Sequence, residues 1–75
     1  MISEQSWKEG FSTRVKEKLN ELDMQQKELA GLIFVSPVSV QKYCKGDAMP
    51  SGYTLSLIAA ALNCSVSYLV GEEEQ

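Results

Sequence analysis

"LAGLIFVSPVSVQKY", Leu29 to Tyr43, admits two readings, and the choice between them decides the fold. On composition it is two short β-strands broken at Ser36-Pro37. On positional chemistry it is the end of one helix, a tight turn and the start of another. The Ser-Pro pair settles the matter. Serine caps a helix by accepting a hydrogen bond from a first-turn N–H, and proline at the first helical position sacrifices no hydrogen bond and brings a preset φ. In a central strand the same proline removes a ladder bond. With Ser36 as N-cap and Pro37 next, Val40 and Tyr43 fall inward with Val35. Ser39, Gln41, Lys42 and Lys45 stay outside, and Gly46 ends the helix at a typical C′ position. Val38 and Val40 are β-branched, so tertiary packing has to hold this helix.

The flanking segments carry the same helical periodicity. "SWKEGFSTRVKEKLNELD" places Trp7, Phe11, Val15, Leu19 and Leu22 on one face, with Arg14, Lys16, Lys18 and Glu21 on the other. Ser6 followed by Glu9 has capping-box spacing, although Gly10 and Ser12 allow a later start. "QQKELAGLI" puts Leu29, Ala30 and Ile33 on one side of a two-turn helix. "KGDAMPSGY" is a loop by its Gly, Asp and Pro content. Beyond it Leu55, Ile58, Ala59 and Leu62 stand at i, i+3, i+4 and i+7, with Ser51 or Thr54 as N-cap and Asn63 as terminator. "SVSYLV" begins a last short helix at Ser65 and stops at Gly71. The expectation is an all-α, compact five-helix domain over residues 1–71, with helices at about 7–22, 26–33, 36–45, 52–62 and 65–70. Residues 72–75 form an acidic tail or the start of a linker.

Composition narrows the function. A chain of 75 residues buries only a small core, which makes self-association worth expecting. The longest apolar runs fall far short of a membrane span, and the N-terminus "MISEQSWKEG" lacks the basic start and apolar stretch of a signal peptide. The chain therefore reads as soluble and cytoplasmic. It has no His, and Cys44 and Cys64 stand alone without metal-ligand spacing, so they read as core fillers in a reducing compartment. No metal or cofactor is expected. Scattered carboxylates, no Gly-rich phosphate loop and no nucleophile beside a base leave no catalytic constellation, so an enzyme is not expected. Net charge is −3, which argues against a generic polyanion binder. Three of the ten acids, however, lie in the terminal "GEEEQ", and residues 1–71 balance seven basic against seven acidic.

The order of these elements, with "QKELAGLIFVS", then "VSPVSVQKY", then "KGDAMP" and "LSLIAAALNCSVSYLV", resembles the lambda-repressor/Cro-like (XRE) helix-turn-helix family. Ala30 stands at that motif's small-residue position, and the Leu-x-x-Ile-Ala-x-Ala-Leu run and Tyr-Leu pair look like the family's fourth and fifth helices. The resemblance implies sequence-specific binding of double-stranded DNA, usually as a homodimer on a two-fold symmetric operator, by transcriptional repressors such as those of phage and prophage switches. It makes residues 36–45 the recognition helix, whose N-terminal half enters the major groove. The base-edge candidates are then Pro37, Val38, Ser39, Gln41 and Lys42. Gln41 suits adenine, and Val38 offers apolar contact, most usefully to a thymine methyl. Phosphate candidates are Gln26, Lys27, Ser36 and Lys45, the first two at a helix N-terminus that favours anions. Val66, Tyr68 and Val70 are the dimer candidates, against a reading in which Val66 and Leu69 simply close the core. Arg14, Lys16 and Lys18 read as ordinary helix surface.

Three positions depart from the family pattern. Gln25 stands where Ser or Thr commonly caps helix two, and Cys44 follows the helix-three aromatic where many members are polar. Phe34 occupies the turn position commonly held by Gly to permit positive φ. A bulky residue there costs ~1 kcal/mol or more, avoided by another turn geometry or offset by burying the ring. The rival function is a protein-interaction module, of antitoxin or adaptor type, on the same scaffold.

Overall fold

A computed structural model describes the backbone of residues 4–72 and the side chains from Lys8 to Glu72. It contains α1 (Glu4–Glu21), α2 (Gln26–Ile33), α3 (Pro37–Lys45), α4 (Gly52–Ala61) and α5 (Val66–Leu69), and no strand among the described residues. No helix of the described chain is long and apolar enough to cross a membrane. Ser36, Ser51 and Ser65 each cap the helix that follows, accepting from the N–H three residues on: Ser39 at 3.2 Å, Thr54 at 3.3 Å and Tyr68 at 3.0 Å. The Ser-Pro reading thus holds, with Pro37 at the first position of α3. α2 starts without a hydroxyl cap. Its Glu28 carboxylate instead accepts from the Gln25 N–H at 3.3 Å, the return half of a capping box.

The helices end alike. In each, a residue of positive φ follows the helix and the next N–H reaches back five residues to a carbonyl, a Schellman-type closure that satisfies an otherwise orphaned acceptor. The left-handed residues are Asp23, Phe34, Gly46, Asn63 and Gly71. The closing bonds run from Met24 to Leu19 (2.8 Å), Val35 to Ala30 (3.1 Å), Asp47 to Lys42 (2.9 Å), Cys64 to Ala59 (3.0 Å) and Glu72 to Ser67 (2.8 Å). Glycine, Asn and Asp tolerate this conformation, whereas Phe34, at φ 62° and ψ 40°, does not suit it.

Phe11 and Val15 from α1, Leu29 and Ile33 from α2, Val40 from α3, Ile58 and Leu62 at α4 and Leu69 from α5 are all essentially closed to solvent. They form one core, which Cys44 and Tyr68 help to line. α2 lies against α3 and α4, while α1 spans α3 and α5. The Phe11 and Tyr43 rings meet edge to face, centroids 6.4 Å apart, and this contact ties the α3 face to α1.

Four expectations need correction. α1 starts at Glu4, so Ser6 lies inside it rather than at its cap; the packing of Trp7 lies outside the described side chains. Leu22 belongs to the turn after α1 and is exposed, because the helix closes at Glu21 before another inward position is reached. Lys18, expected outside, is 7% exposed: its stem lies in the α1–α5 seam, its Nζ sits 3.2 Å from Glu21 Oε2 and 5.1 Å from the Tyr68 ring centroid. Tyr68, named for a dimer seam, is 9% exposed and covered by Lys18 and by Arg14, whose guanidinium carbon is 5.8 Å from the ring centroid. Two cations over one ring explain why α5, barely a turn long, holds its place on α1.

Candidate nucleic-acid interface

The N-terminal ends of α2 and α3 open onto a common face. α2 runs from that face toward the core through Leu29, Ala30 and Ile33, and the turn at Phe34 and Val35 redirects the chain so that Pro37 and Val38 emerge beside Gln26 and Lys27. Between them and the C-terminal half of α1 lies an open groove of ≈ 670 Å³. Lys16, Leu19, Asn20, Met24, Gln25, Gln26, Lys27, Pro37, Val38 and Gln41 line it. Four of these residues are apolar, two are lysines and four carry side-chain amides. None of these ten residues is acidic, in a chain with more acidic than basic residues overall.

Five of the nine sequence-derived DNA candidates therefore converge: Gln26, Lys27, Pro37, Val38 and Gln41. Val38 is 57% exposed, an apolar side chain at a helix tip with no part in the core. Gln41, one turn further, is exposed on the same side. The other four sit apart. Ser36 spends its oxygen on the Ser39 N–H and stands 3.2 Å from the Ser39 hydroxyl, so these two serines form a local pair at the start of α3. Lys42 is exposed on α3 outside the groove, and Lys45 is exposed in the last turn, ~12 Å along the helix from Pro37.

Reading the sequence alone missed the contribution of α1. Lys16 and Asn20 are an i,i+4 pair, and with Leu19 and Met24 they make the wall opposite α3. Lys16 looked like ordinary helix surface because its neighbours Glu17 and Glu21 are acidic; only the packing of α1 on α3 shows that it faces the groove. Its charge also reaches Cys44 in α3. Burial pushes the Cys44 thiol above its ordinary value of 9.0, and Lys16 opposes that rise. Cys44 and Cys64 are not joined in a disulfide, and no metal-binding cluster occurs among the described residues.

Phe34 is 84% exposed, and Leu32 on α2 is 54% exposed. Phe34 thus accepts a left-handed backbone without burying its ring, contrary to both ways in which the sequence suggested the cost is met. Val66 is exposed and Val70 half-buried at α5, whereas Leu69 closes the core.

A family model described as helix-turn-helix matches residues 15–69, which includes all of α2, α3, α4 and α5. Among solved structures, the chain is similar to the solution structure of the SOS-response transcriptional repressor LexA from Eubacterium rectale. The identity is 27%, the TM-score 0.86, and the match covers 99% of this chain and 78% of that one. No curated protein matches the chain.

Proposed function

The chain belongs to the helix-turn-helix family, and from that premise we propose that it is a sequence-specific, DNA-binding transcriptional regulator acting as a repressor. The observation that carries this reading is the acid-free groove at the joined N-termini of α2 and α3, lined by Lys27 and Gln26 and by the exposed Val38 and Gln41. α3 enters the major groove tip first. Gln41 has the donor and acceptor to pair with adenine, while Pro37 and Val38 make apolar contact with base edges. The first N–H groups of α2 point out of the helix and, with Lys27, hold a backbone phosphate. Lys42 and Lys45 add phosphate contacts further along α3. The protein binds a two-fold symmetric operator as a homodimer, using the exposed Val66 and half-buried Val70 but not Tyr68, which α1 covers. Similarity to a transcriptional repressor supports the regulatory role.

A selected duplex and a scrambled one, titrated by fluorescence anisotropy at two salt concentrations, test this. Selective binding that weakens steeply with salt is expected. No binding to either at low salt refutes it. One observation favours a second reading, a protein-interaction module of antitoxin or adaptor type: Leu32 and Phe34 are large apolar side chains left open to solvent. Under that reading Phe34→Ser abolishes partner binding and leaves DNA affinity at zero throughout.

A further inference from the structure

The Arg14 guanidinium lies between two glycines. A Cβ added at Gly10, one turn back on α1, would stand 2.7 Å from its Nη1, and one added at Gly71, just past α5, would stand 3.3 Å from the same atom. The guanidinium thus fills the space that a side chain at either position would take, and it lies over the Tyr68 ring. Its forked N–H donors suit a carboxylate. Among the described residues, however, no ion pair joins Arg14 to one, although Glu9 and Glu17 border the same depression. Acidic residues follow directly: the chain leaves Gly71 into Glu72, Glu73 and Glu74. On local grounds they are badly placed, because the carbonyls left over at the end of α5 repel negative charge. The Glu72 N–H closes α5 onto the Ser67 carbonyl at 2.8 Å. From Gly71, Glu73 and Glu74 are at most ~7 and ~11 Å away along the chain, within reach of a glutamate side chain turned back.

We propose that this slot receives the acidic segment that follows it: a carboxylate of Glu73 or Glu74 turns back onto the Arg14 guanidinium and straps the end of α5 to α1. Attraction to Arg14 then outweighs repulsion from the α5 carbonyls, and charges that oppose the helix end instead hold it. The strap is independent of the DNA reading. Its effect falls on α5, which is four residues long and places the exposed Val66 and, just past its end, the half-buried Val70 at the surface.

The test is amide hydrogen exchange at Leu69 and Val70, whose N–H groups donate to the Ser65 and Val66 carbonyls. Four forms of the full chain are compared: the unsubstituted protein, Glu73→Gln with Glu74→Gln, Arg14→Gln, and all three changes together. The sign of the effect decides. With the strap, neutralising the two glutamates at low salt speeds exchange several-fold, and it does not do so when Arg14→Gln is already present. Without it, neutralisation only relieves repulsion from the α5 carbonyls, so exchange stays the same or slows. Salt at about 1 M, where the screening length is ~3 Å, should loosen the unsubstituted protein and leave the doubly neutralised form unchanged. That comparison holds even if Arg14→Gln fails to fold. Unchanged or slower exchange on neutralising the glutamates, an equal acceleration in the presence of Arg14→Gln, or an equal response of both forms to salt overturns the proposal.

Discussion

Replacing Phe34 by glycine and, separately, by alanine measures how much strain the turn between α2 and α3 stores. Both substitutions delete the same ring, and because Phe34 is 84% exposed, little buried surface goes with it. They differ in Cβ. At φ 62° and ψ 40° a Cβ crowds the following carbonyl, at a cost of ~1–2 kcal/mol, whereas glycine takes the conformation freely. Glycine's larger freedom in the unfolded chain returns ~0.5–1 kcal/mol of that gain. The glycine variant should therefore exceed the alanine variant by up to ~1.5 kcal/mol, with a mid-range value of ~0.75 kcal/mol or ~3–6 °C in Tm for a domain of this size. Urea unfolding followed by circular dichroism reads the difference as a shift in midpoint at unchanged slope. An alanine variant more stable than the glycine variant refutes the claim that this turn is left-handed.

Other consequences follow from single residues. Ser36→Ala removes the α3 cap and should cost ~1 kcal/mol in the same unfolding assay, with DNA affinity falling because the reading end of α3 frays. Gln41→Ala should cost ~1–3 kcal/mol on the preferred duplex and relax its specificity, whereas Lys45→Ala should weaken all sequences alike and lower the salt slope by ~1; identical behaviour contradicts that division of roles. Burial holds the Cys44 thiol protonated in the folded protein above the ordinary value of 9.0. The unfolded chain then binds fewer protons at alkaline pH, so stability is full below pH 9 and falls as pH rises past it, and Cys44→Ala should lose that part of the alkaline decline. Lys18→Ala should destabilise by ~1 kcal/mol through lost stem packing and lost attraction to the Tyr68 ring, with Lys18→Met recovering the packing share.

Local chemistry made most of the fold legible. The serine caps, Pro37 and Gly46 act within one turn of themselves, so α3 and its boundaries follow from a few adjacent residues. The i,i+3,i+4 apolar spacing likewise marks the inward faces of α2 and α4. What the sequence hid depends on which helix lies beside which. Lys18 and Tyr68 are 50 positions apart, and only the docking of α5 on α1 buries them together. Lys16 shares a helix face pattern with solvent residues, and only the approach of α1 to α3 turns it toward a groove. Phe34 is a different case. Residue preference opposes a left-handed Phe, yet the back-bond from Val35 to Ala30 demands that geometry, and the closure prevailed over the preference.

The groove between α1, α2 and α3 is the proposed DNA-reading face. Amide chemical-shift mapping of the labelled protein against the selected duplex tests it most directly. The largest perturbations are expected at Lys16, Gln26, Lys27, Val38 and Gln41, with Tyr53 of α4 little changed. Perturbations concentrated on α4 and α5, with the groove residues silent, would contradict it.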